Sequence, residues 1–108
     1  MATTRRTLSL RTFLVECYAP GATAQDASVA GERLRAAASE MRRAGRDVEY
    51  AGSLLVAEDE VVIHVFHARD AALVRNAVAA TELTCERVVE SIPIDLDWGQ
   101  PVAGISRA

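Results

Sequence analysis

Apolar positions recur at a spacing of two, then of three and four, then of two, and this changing period lays out six elements. Residues 12–18 are rich in β-branched and aromatic side chains and stop at Ala19-Pro20-Gly21, which predicts a strand closed by a breaker pair. Thr23 with Asp26 three positions later resembles a capping box, and Ala27, Ala30, Leu34, Ala37, Ala38 and Met41 follow as a helical stripe. Its small side chains predict a helix lying close to whatever it covers. Arg42 and Arg43 suit the carboxyl end of the helix dipole, and Gly45 supplies a stop. Residues 48–56 and 61–66 turn β-branched around the acidic Glu58-Asp59-Glu60, a hairpin. Asp70 can cap a second, shorter helix running to about residue 80, with Val74, Ala77 and Val78 inward and Leu73 at the edge. A last strand over 86–92 ends at Pro93.

Strand, helix, strand, strand, helix, strand is the order of the ferredoxin-like split βαβ, an α+β fold with both helices on one face of a four-stranded antiparallel sheet. The expected boundaries are a polar N-terminal arm over 1–10, one domain over 11–94 and a tail over 95–108. The tail carries Ile94, Leu96, Trp98, Val102 and Ile105 in its vicinity, and Trp98 would anchor it on its own domain or on a partner.

Strand alternation says what the uncovered face should carry. In the first strand Phe13, Val15 and Cys17 form one row and Leu14, Glu16 and Tyr18 the other. In the third the rows are Val61, Ile63, Val65 and His67 against Val62, His64 and Phe66. Assigning the aliphatic rows to the helices leaves Leu14, Tyr18, Val62 and Phe66 on the open face, with Glu16 and His64 among them. So apolar a face predicts a homodimer, two sheets packed face to face as in a dimeric α/β barrel, enclosing a cavity. Glu16 and His64, on neighbouring central strands, would meet there as ligands for a divalent metal such as Ni²⁺, Zn²⁺ or Cu²⁺, or as an acid–base pair. Tyr18, Ser53 and Glu90 are the expected ligand-binding neighbours, with Ser53 placed in a row with Glu49. The alternative is a hydrogen-bonded core histidine and a satisfied glutamate, with no ligand at all.

Composition narrows the classes. The chain has 108 residues, enough for one core, and half of them are hydrophobic. A net charge of −3 gives no general attraction to nucleic acid or an anionic membrane surface. The leader around Arg5, Arg6 and Arg11 lacks the apolar stretch of a secretory signal, and no run is long enough to span a bilayer, so the cytoplasm is the expected location. Cys17 and Cys85, far apart in sequence and in no Cys-x-x-Cys pair, are expected to be reduced, packed thiols. All 12 basic residues are arginine, a bias with no mechanism attached.

Thr12-Phe13-Leu14-Val15-Glu16, Pro20-Gly21, Val65-Phe66-His67-Ala68-Arg69-Asp70 and Arg87-Val88-Val89-Glu90 together resemble a family of small bacterial ferredoxin-like proteins. The family was long called a domain of unknown function and includes a nickel-binding member. The resemblance covers about residues 11–94 and implies a dimeric βαββαβ domain and, for at least one member, nickel binding. Glu16 matches the family's strand glutamate; at His64 the family commonly has cysteine, at Arg69 proline, and at Cys17 a basic residue. Three functions are therefore compared below: a small-ligand or divalent-metal binding dimer, a cofactor-independent cavity enzyme like the dimeric ferredoxin-like monooxygenases and isomerases, and an interaction module using its apolar face.

Overall fold

The structure, a computed structural model, describes residues 10–96. The expected arm over 1–10 and the Trp98 tail therefore lie almost wholly outside the described residues. Within them the chain runs β1 (Arg11–Tyr18), α1 (Ala24–Arg43), β2 (Val48–Val56), a 3₁₀ turn (Ala57–Asp59), β3 (Val61–Ala68), α2 (Ala71–Ala79) and β4 (Arg87–Ser91). The four strands form one antiparallel sheet in the order β2-β3-β1-β4. This is the strand order of the ferredoxin-like arrangement.

Local chemistry fixes the helix ends. Thr23 accepts from the Asp26 backbone N–H while Asp26 accepts from that of Thr23, so the capping box forms with aspartate at its third position. The Asp26 carboxyl is held below its ordinary range by the Thr23 backbone and side-chain hydrogen bonds. Asp70 caps α2 by accepting from the Leu73 N–H. Gly45, at φ 84°, follows α1 in the left-handed region.

Leu34 and Ala38 from α1 and Val74 and Ala77 from α2 pack with Phe13, Val15, Val48, Phe66 and Ala68 in one buried cluster, so both helices cover the same face. Alanine lets α1 approach closely, as its composition predicts. In the register Phe13 faces Phe66, Val15 faces His64 and Cys17 faces Val62. Cross-strand partners share a face, so Val62, His64, Phe66 and Ala68 point toward the helices and Val61, Ile63, Val65 and His67 point away.

Two expectations are corrected here. The β1 rows fall as expected, but the β3 rows are reversed: the two phenylalanines form the bulk of the core, and His64 goes inward with them. Cys17 and Cys85 form a disulfide, tying the end of β1 to the segment before β4 across 68 positions. Sequence separation carries no information about that proximity; antiparallel pairing of β1 with β4 creates it. Among the described residues no helix is long and apolar enough to cross a membrane.

Candidate functional site

His64 organises the site. Its neighbours are set by a bulge in β2, where the pairing with β3 shifts between Tyr50 and Gly52. An extra residue, Ala51, changes the parity of the strand, and Gly52 sits at φ 141°, where a side chain would be strained. Tyr50 and Ser53, three apart, thus both point to the helix side, and Ser53 lies directly across from His64. The expected row of Ser53 with Glu49 is corrected by this bulge: Glu49 faces His67 on the open side.

The result is a chain of three polar groups in an apolar layer. Ser53 Oγ lies 2.6 Å from His64 Nδ1 and also hydrogen-bonds the Tyr50 hydroxyl. The Tyr50 ring packs edge-on against Phe66, and the Arg35 guanidinium lies 4.9 Å above it. Gly31, in the middle of α1, makes room: a Cβ there would overlap the Tyr50 hydroxyl. His64 is 1% exposed, and burial lowers its pKa from 6.5 to about 4, so the imidazole is neutral at pH 7.

His64 also lines a cavity of about 240 Å³ between the N-terminal half of α1 and the sheet. Ala22, Ala27, Ala30, Val62 and Leu83 supply apolar wall, and Cys17, Thr84 and Asp26 complete it on the side of the disulfide. A larger groove of about 670 Å³ between the helices is lined by Arg33, Glu40, Glu82 and small apolar residues, and no buried titratable group faces it.

The other expected site residues lie elsewhere. Glu16 is on the open face, in a two-pronged ion pair with Arg87 at 2.9 and 3.3 Å. Glu16 and His64 therefore stand on opposite faces of the sheet and do not converge, which corrects the expected metal or acid–base pair. Tyr18 is 57% exposed, bonds Glu60 through its hydroxyl at 3.3 Å, and contributes to the cavity lining. Glu90 pairs with Arg11 at 3.3 Å, at the end of β1 remote from Cys17. Among the described residues no three His, Cys, Asp or Glu side chains gather as metal ligands, and both cysteine sulfurs are committed to the disulfide.

Sequence reasoning missed Tyr50, Gly31 and the disulfide. Two signals were present: Gly31 interrupting a helical stripe and Gly52 interrupting a strand, each a mark of close approach or a bulge.

The fold and this site define a small α+β domain with a half-open pocket lined in part by a buried histidine. Comparison with protein-family models, curated proteins and solved structures gives no significant match, so its function is argued from its own residues.

Proposed function

We propose that this protein is a small-ligand-binding protein of the ferredoxin-like class that works as a homodimer and holds its ligand inside each subunit, in the cavity beneath α1. One observation carries the proposal: a buried imidazole with one nitrogen anchored by Ser53 lines a mostly apolar pocket whose other polar groups come from Tyr18, Asp26 and Thr84. Small, mostly apolar pockets with a few fixed polar groups bind by burial and orient by hydrogen bonding.

The site lies between helix and sheet, not between two sheets, and it does not include Glu16. A metal bridged by Glu16 and His64 is accordingly set aside. The Ser53–His64 contact favours a second function, acid–base catalysis with His64 as base. Against it stands basicity: a histidine with a pKa of about 4 is a poor proton acceptor near neutrality, where catalytic bases are tuned toward pH 7. Binding is the better use of a neutral, fixed imidazole.

The open face supports the dimer. It carries Leu14, Leu54, Val56, Val61, Ile63 and Val89, and its Glu16 is matched by Arg87 within the same chain. Two copies can therefore meet over this apolar row with the Glu16 charge already paired. The resemblance in the Phe-Leu-Val-Glu strand points to the same assembly. The disulfide is of the kind that persists in oxidising compartments, which weighs against the cytoplasmic location expected from the leader and the lack of a spanning run.

Ligand-observed NMR with a library of small fragments tests the binding site. Ala30→Leu places a larger side chain in the cavity, and fragments that bind the native protein should lose their signal with this variant. Fragment binding that is unchanged by Ala30→Leu would refute the cavity as the ligand site.

A further inference from the structure

The Tyr50–Ser53–His64 chain has a direction, and the direction decides what the cavity accepts. Each hydrogen bond in it can run either way. If the Tyr50 O–H donates to Ser53 and Ser53 donates to His64 Nδ1, the imidazole proton resides on Nε2. If His64 Nδ1–H donates to Ser53 and Ser53 to Tyr50, Nε2 keeps a lone pair.

One consideration selects the first. A phenol, with pKa about 10, is the strongest neutral donor of the three groups, and an imidazole nitrogen is the strongest acceptor, so donation from phenol to imidazole matches strengths at both ends. Each direction leaves one donor without a protein acceptor among the described residues, the Tyr50 O–H in the reversed chain and the Nε2–H in the first, so the strengths of the two ends decide. Nε2 has no protein partner among the described residues, and the ring lines the cavity. We infer that Tyr50 and Ser53 hold His64 as the Nε2–H tautomer, so that the cavity presents a hydrogen-bond donor and selects small, largely apolar molecules bearing an acceptor such as a carbonyl oxygen. The inference rests on the cavity being the ligand site, and it names the ligand's chemical class. Tyr50 and Ser53 are then positioning residues, acting through His64. The same tautomer withholds from a divalent metal the lone pair it needs.

Long-range ¹H–¹⁵N correlation spectra of the full-length, uniformly ¹⁵N-labelled protein at pH 7 read the tautomer directly, with His64 distinguished from His67 by a His64→Gln sample. The expected result is the Nε2–H form in the native protein and a measurable Nδ1–H population in Tyr50→Phe, which loses the terminal donor but keeps the ring. A native Nδ1–H form, or a tautomer ratio unmoved in Tyr50→Phe, overturns the inference.

Titration with cyclohexanone, against methylenecyclohexane as the ring without an acceptor oxygen, then tests selectivity. The ketone should shift the His64 Nε2–H resonance saturably and the hydrocarbon should not; equal shifts overturn the selectivity. Ni²⁺ should leave the His64 signals unbroadened, and selective broadening there also overturns the inference. An Nε2–H tautomer with no response to either ring compound separates the two levels: it removes the cavity as ligand site and leaves the tautomer assignment standing.

Discussion

A histidine that is 1% exposed imposes a cost on folding whenever solution conditions would protonate it. His64 titrates near 4 in the folded chain and near 6.5 when unfolded, because burial disfavours its charged form. Between those values the unfolded state binds the extra proton. Its contribution to stability is thus fully present above about pH 6.5 and is lost as pH falls toward 4, by up to about 3 kcal/mol for one group shifted this far. Urea unfolding from pH 7 to pH 4 should show that decline, and His64→Gln should flatten it whatever its own stability. A native-like slope in the variant would assign the acid sensitivity to other groups. The capping carboxylate of Asp26 is separable, since a lowered carboxyl loses its contribution only below its ordinary 3.8. At this scale His64 was legible as an ionisable group set between Val62 and Phe66 in an apolar row. Its partners were not, because a hydrogen bond to Ser53 depends on which way two strands turn their faces.

The elements themselves were largely written in the chain. Period, caps and breakers placed two helices and four strands close to their final limits, since each such signal acts within a few residues. What failed was assignment of faces, and it failed for identifiable reasons. In β3 both rows are apolar enough to be interior, so alternation alone has no preferred solution until Phe66 is seen to lie across from Phe13. In β2 one inserted residue inverts the pattern beyond it, and Ser53 joins Tyr50 on the inner face. The disulfide belongs to the same class of missing information, a contact made by strand pairing between β1 and β4. Closing 68 positions of chain, it should stabilise the fold by about 2–4 kcal/mol, chiefly by restricting the unfolded state. Urea unfolding of Cys17→Ala/Cys85→Ala should read that loss. Thiol titration in denaturant should find no free thiol before reduction and two per chain after it. Two thiols without reductant would remove the bond.

For the whole molecule, the sheet has one face buried by α1 and α2 and another that its own described residues cover only in part. The second face is apolar at its centre, with Leu54 47% exposed and Ile63 half-buried beside it, and Glu16 there is paired with Arg87 within the chain. The reversal of the β3 rows changes its membership without changing its character: the partly exposed Val61 and Ile63 replace Val62 and Phe66. A contiguous apolar patch on so small a domain favours association, and isologous packing of two identical faces closes the assembly at two. Light scattering after size exclusion should therefore give twice the chain mass of 11.6 kDa at micromolar concentration. Leu54→Asp would place two like, unpaired charges, one from each copy, at the centre of the contact, costing several kcal/mol on association while each stays solvated in the monomer. The variant should elute at the single-chain mass with its far-UV circular dichroism intact and with His64 still titrating near 4, because the cavity lies on the other side of the sheet. A native protein of single-chain mass would leave the open face free for another partner. A dimer unaffected by both charges would move the interface elsewhere.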